Sequence, residues 1–181
     1  KHLSLPRSPS GPAHAIESAS DPGRRLPMEI EKKFVVRDLP SRQRLAEGEP
    51  IRQGYLAVGD NEEVRLRAKG AGFFLTVKTG RGLVRGEYEV ALDAPAFDTL
   101  WPATEGRRLE KTRHRVPVAG WTAEVDVFEG TLSGLALVEV EFASVDEAEA
   151  FVPPPWFGAE VTDDDRYANR SLARNGRPAA R

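Results

Sequence analysis

The sequence predicts a mainly β domain with a few short helices, arranged as an antiparallel barrel or sandwich. Three observations predict it. Short segments of alternating polar and apolar residues follow one another from Met28 onward, tight-turn residues separate them, and no repeat of solenoid period appears. Six places also repeat one pattern, two like charges two residues apart around an apolar or neutral residue. They are Glu29-Ile30-Glu31, Arg65-Leu66-Arg67, Glu87-Tyr88-Glu89, Lys111-Thr112-Arg113, Glu124-Val125-Asp126 and Glu139-Val140-Glu141. Residues i and i+2 of a strand share a face, so each segment separates a charged side from an apolar one.

Residues 1–27 are rich in Pro, Ser, Gly and Ala, without periodicity or an apolar signal run, and read as a disordered extension. The domain is expected to span 28–176, beginning at the only Met, Met28, with 177–181 a flexible tail; the native start is expected at Met28 too. Met28–Val36 alternates until Pro40 and Ser41. Ile51–Val58 ends at Gly59-Asp60-Asn61, and Glu63–Lys69 and Phe73–Thr79 flank a hairpin turn at Gly70-Ala71-Gly72. Val84–Leu92 follows, and Asp93–Thr104, with Pro95 near its start, predicts a short helix. Leu109–Val118 and Trp121–Phe128 pair around Ala119-Gly120, and Leu135–Ala143 is the eighth strand. Ser144-Val145-Asp146-Glu147 has the form of a capping box. Thr162 to Asp165 supply N-cap chemistry for a last helix through Leu172, stopped by Gly176.

A length of 181 residues suits one domain able to bury a core. A net charge of −2 argues against a generally basic nucleic-acid or membrane-surface protein. With no cysteine, disulfides and thiolate metal sites are excluded, and a cytoplasmic setting is expected. No apolar run approaches the roughly 18 residues of a membrane span.

Taken singly, each charge pair reads as the wet face of an amphipathic sheet, and Lys32 and Lys69 need no special role. Together the pairs fit that reading less well, because like charges are segregated strand by strand. A closed barrel would put them inside, where acids and bases must be paired or neutralised by a ligand and a metal. Clustered Arg and Lys suit a polyanion, and carboxylates beside phosphate oxygens suit Mg²⁺. The chemistry points to a metal–polyphosphate site.

The ordered motifs resemble a known family. Glu29-Ile30-Glu31-Lys32-Lys33 is similar to the ExExK signature of the CYTH superfamily, the triphosphate tunnel metalloenzymes. Gln53-Gly54-Tyr55-Leu56, Val64-Arg65-Leu66-Arg67, Leu75-Thr76-Val77-Lys78, Arg85-Gly86-Glu87-Tyr88-Glu89, Lys111-Thr112-Arg113, Glu124-Val125-Asp126 and Leu137-Val138-Glu139-Val140-Glu141 follow in the family's order. The resemblance covers about residues 28–173 and is closest to the short bacterial members. It implies an eight-stranded antiparallel β-barrel, a tunnel with flanking helices and a C-terminal helix able to close one end. It implies that Lys33, Arg65, Arg67, Lys78, Lys111 and Arg113 bind triphosphate, with Tyr167 and Arg166 of the C-terminal segment facing it. Glu29, Glu31, Glu139 and Glu141, with Glu87, Glu89 and Asp126 near by, would hold Mg²⁺ or Mn²⁺, and Lys33, Glu139 and Glu141 would carry the catalysis.

The activity so implied is metal-dependent hydrolysis of a triphosphate, inorganic tripolyphosphate ahead of thiamine or nucleoside triphosphates. A class IV-type adenylate cyclase needs a base pocket that no aromatic or amide cluster marks. A polyphosphate- or RNA-binding barrel would lack the acidic set, and an RNA module would need stacking aromatics on the basic face, where Phe74 is the clear one. A small-molecule triphosphate is therefore the expected partner, ahead of nucleic acid or membrane. Uncovered apolar faces outside the barrel would suit a homodimer. Trp101, Trp121 and Trp156 are expected to pack helices on the sheet, and Gly54 to mark a bulge or a close backbone approach.

Overall fold

The computed structural model describes residues 28–40, 45, 47–81 and 83–179. The extension expected at 1–27 and the last two residues of the expected tail lie outside them. The strands are β1 (Met28–Val36), β2 (Glu49–Val58), β3 (Glu62–Lys69), β4 (Gly72–Thr79), β5 (Val84–Leu92), β6 (Arg108–Val118), β7 (Trp121–Phe128), β8 (Ala136–Glu141) and β9 (Phe157–Glu160). The helices are α1 (Ala94–Leu100), α2 (Val145–Ala150) and α3 (Asn169–Asn175).

The first eight strands close on themselves in the order β1-β5-β4-β3-β2-β6-β7-β8, antiparallel throughout, and β8 returns to β1. The barrel alternative is thus the one realised. One edge of β1 pairs with β8 over Glu31 to Val35. The other edge is shared: β5 pairs with Met28 to Ile30, and β9 takes Phe34 and Val36. That vacant stretch of β1 explains β9, which has no local alternation and follows a three-proline run; its position is set by an edge left open elsewhere.

Closure places the charged faces inward and the apolar faces outward, where the helices and β9 cover them. Phe34, Val125, Val138 and Val140 pack with Phe151 and Phe157 beneath α2 and β9. Leu66 and Ala68 pack with Phe97 of α1, on which Trp101 stacks at 5.1 Å. Trp121 meets Phe151 edge-on at 5.5 Å and Trp156 meets Phe157 at 4.3 Å, so all three tryptophans pack the outer layer as expected.

Local signals account for the element ends. Asp93 accepts a hydrogen bond from the Ala96 N–H and caps α1. Ser144 Oγ accepts from the Glu147 N–H, while Glu147 Oε2 accepts from Ala143, one residue before the usual partner of a capping box. Gly54 serves both expected purposes: a bulge follows at Tyr55/Ala57, and a Cβ there would lie 2.5 Å from Thr104 Oγ1. The last helix departs from expectation. Asp164 caps a 3-10 turn over Asp165–Tyr167, Ala168 is extended, and α3 starts only at Asn169.

Candidate active site

Alternation along the closed strands builds the site. Glu29, Glu31 and Lys33 of β1 face inward with Arg65 and Arg67 of β3, Lys78 of β4, and Glu87 and Glu89 of β5. Lys111 and Arg113 of β6 and Glu139 and Glu141 of β8 complete the ring, and all line one cavity of about 1020 Å³. The same alternation makes the floor. Val35, Leu109, Phe128 and Leu137 share faces with Lys33, Lys111, Asp126 and Glu139, and they pack with Leu132, Leu135 and Leu172 of α3. The barrel interior is therefore a cup, apolar at the bottom and charged above.

Cations and carboxylates interlock across the cup. Lys33 Nζ lies 2.9 Å from Glu139. Lys78 Nζ lies 2.7 Å from Glu29 and 2.9 Å from Glu87, which also accepts from Arg65 at 3.2 Å. Arg67 meets Glu89 at 2.5 Å, and Arg85 bridges Glu29 and Glu31. Arg113 grips both oxygens of Asp126 at 2.7 Å and reaches Glu139 at 2.8 Å, while also pairing with Glu124. Lys111 pairs with Asp126 at the bottom.

These surroundings set the charge states. Burial opposes charging Lys33, but Glu139 and Glu31 outweigh it and hold its pKa above the ordinary lysine value. Burial would raise the Glu139 carboxyl, yet Lys33 and Arg113 hold it well below the usual range. Lys111 goes the other way, pushed down to about 8 by burial with Asp126 opposing. Glu31 is raised by burial and by Glu139, and Glu141 by burial and by Glu29 and Glu31. Glu31 and Glu141 face each other in register between β1 and β8.

That crowding tests the metal chemistry. Among the described residues no three carboxylates are already gathered in ligating geometry, since most are turned onto bases. The donor set still fits a hard divalent ion: Glu29, Glu31 and Glu141 offer carboxylate oxygens, and burial, with neighbouring carboxylates adding to it, raises Glu31 and Glu141.

Three expected site residues lie elsewhere. Asp126 is 1% exposed, held from both sides by Lys111 and Arg113, and does not line the cavity. Tyr167 packs against the apolar floor, and Arg166 pairs with Asp164 outside, so neither faces the cup. The C-terminal segment contributes Asn169 and Arg170, the latter paired with Glu63 at 3.3 Å. Glu63 and Arg85 line the cup too, and the two-residue alternation with Arg65 and Glu87 carried the signal for both. Arg170 carried none, because its place depends on how α3 docks.

A CYTH domain family model matches residues 27–161. This chain belongs to the CYTH family. A CYTH relative from Nitrosomonas europaea, an inorganic triphosphatase, is 54% identical over 147 residues, covering 80% of this chain and 96% of its own. An inorganic triphosphatase from Acetivibrio thermocellus is 40% identical over 149 residues, covering 81% and 94%. A crystal structure of an inorganic triphosphatase, 50% identical, superposes with a TM-score of 0.63 over 83% of this chain and 97% of the other. The CYTH enzymes of the triphosphate tunnel type depend on a metal ion.

Proposed function

We propose that this CYTH barrel hydrolyses inorganic triphosphate with a divalent metal. The observation that carries the reading is a cup in which a basic set and an acidic set interlock and, among the described residues, Phe142 is the one aromatic lining residue. Such a cup offers charge to a polyanion and no platform to a nucleobase.

The basic side chains Lys33, Arg65, Arg67, Lys78, Lys111 and Arg113 take the phosphate oxygens, exchanging carboxylate partners for phosphate ones of equal sign. Glu29, Glu31, Glu139 and Glu141, with Glu87 and Glu89 adjoining, would hold Mg²⁺ or Mn²⁺, which neutralises phosphate charge and acidifies bound water when present. Water attacks the terminal phosphorus, the bridging P–O bond breaks, and diphosphate leaves with the electron pair. Lys33 and Arg113 stabilise the charge that develops, and a carboxylate of the acidic set takes the proton from water.

Initial rates on tripolyphosphate, ATP and thiamine triphosphate, with Mg²⁺, with Mn²⁺ and with EDTA, test this. Fastest orthophosphate release from tripolyphosphate, lost in EDTA, is expected; cyclic AMP formed from ATP would overturn it.

A further inference from the structure

We propose that an opening in the barrel wall, between β1, β5 and the segment after β9, is the exit for orthophosphate. The cleaved phosphoryl group then leaves while diphosphate still fills the cup. The proposal rests on the triphosphatase reading above and adds the path and the order of product release.

The opening follows from the shared edge of β1. Pairing with β5 ends at Ile30 and Val84, and the Glu31 N–H donates to the Leu83 carbonyl at 3.2 Å. Two residues on, the neighbour has changed. The Lys33 N–H donates to Thr162 Oγ1 at 3.1 Å, and the Lys33 carbonyl accepts from the Val161 N–H at 2.8 Å. Between these neighbours lies a second cavity of about 280 Å³. Glu31, Lys33, Arg85, Ala168 and Arg170 line both it and the cup, so the two spaces adjoin beside Lys33, where the terminal phosphoryl group is cleaved. Arg81, Thr162, Asp163 and Asp165 line the second cavity alone.

Three guanidinium groups mark the way out. The side chains of Arg85 and Arg170 are 18% and 14% exposed, and that of Arg81 is 47% exposed. Asp165 pairs with Arg170 and lies 3.9 Å from Arg81. Its side chain is 55% exposed, and exposed pairs contribute little, so a phosphate can replace the carboxylate between two forks that suit it. Glu31, Asp163 and Asp164 also line the opening and oppose a dianion. Passage requires that balance, attraction enough to enter and too little to hold. The other routes are poorer. Diphosphate on the basic rows of β3 and β6 stands between orthophosphate and the mouth, and the floor of Leu109, Phe128, Leu137 and Leu172 offers a dianion no partner.

Product inhibition of the wild type, with tripolyphosphate as the varied substrate, reads the order of release. Inhibition by diphosphate is expected to vanish at saturating tripolyphosphate. Inhibition by orthophosphate is expected to persist there, because it re-enters by the opening onto the diphosphate complex. A bulky side chain in the opening gives a second reading. Asp163→Trp, at an exposed position, should lower kcat about five-fold at unchanged kcat/KM and show a rapid-quench burst of bound orthophosphate. Where the variant loses kcat/KM as well, the wild-type measurement decides alone. Orthophosphate inhibition abolished by saturating tripolyphosphate, or a variant with unchanged kcat and no burst, would overturn the exit. A wild type that releases no orthophosphate from tripolyphosphate would instead overturn the triphosphatase reading itself.

Discussion

Arg113 joins the basic row of β6 to the acidic rows of β7 and β8, touching Asp126, Glu124 and Glu139 at once. Its fork holds Asp126 through two N–H donors, a geometry lysine cannot copy. Asp126→Asn should therefore lower stability by about 3 kcal/mol, the scale for breaking a buried pair. It should also raise KM for tripolyphosphate while leaving the metal concentration for half-maximal rate nearly unchanged. Denaturant titration and metal titration of the variant measure both, and a large metal shift would return Asp126 to the metal set. At this scale the sequence was informative wherever two-residue alternation governs, as for Glu29, Glu31, Arg65 and Glu139. For Asp126 alternation gives the face but not the depth, which depends on Lys111 and Arg113 lying over it. The sequence was silent on Arg170, because Asn169 and Arg170 follow a turn whose direction no local pattern sets.

α3 is short, yet it supplies Leu172 to the floor and Arg170 to the wall. Truncating Leu172, 2% exposed, to Ala should cost about 2 to 4 kcal/mol and lower the thermal midpoint. Gly54→Ala brings a Cβ to 2.5 Å from Thr104 Oγ1 and should cost about 1 to 3 kcal/mol. Denaturant unfolding of each variant checks these values, and an unchanged midpoint for Leu172→Ala would mean that α3 does not seal the floor. The eight barrel strands were legible because each carries its own alternation and turn residues. β9 was not, since Phe157–Glu160 forms only because β5 leaves part of the β1 edge unpaired. The break at Ala168 was equally hidden: Asp164 competes for the N-cap role and ends its own turn after Tyr167.

The whole molecule inverts the usual sheet, with most of its apolar packing outside the barrel and its charges within, above an apolar floor, and this ties stability to pH. Glu139 and Asp126 titrate below their ordinary values in the folded state, burial being outweighed by Lys33 and Arg113 for one and by Lys111 and Arg113 for the other. A depressed carboxyl pKa stabilises the fold above the unfolded value and is lost as pH falls through the folded one. The thermal midpoint should thus fall as pH drops below about 4.5. Raised Glu31 and Glu141 act oppositely and blunt the fall. A midpoint that rises steadily on acidification would show the raised pair to dominate.

The central claim is that one wall of the cup serves the metal and the other the triphosphate. Orthophosphate release from tripolyphosphate, measured over a matrix of metal and substrate concentrations for wild type, Glu141→Gln and Arg65→Gln, tests it most directly. The account predicts that Glu141→Gln raises the metal requirement at unchanged substrate affinity, and that Arg65→Gln raises KM at unchanged metal requirement. Parallel shifts in both quantities for both variants, or turnover independent of metal, would contradict it.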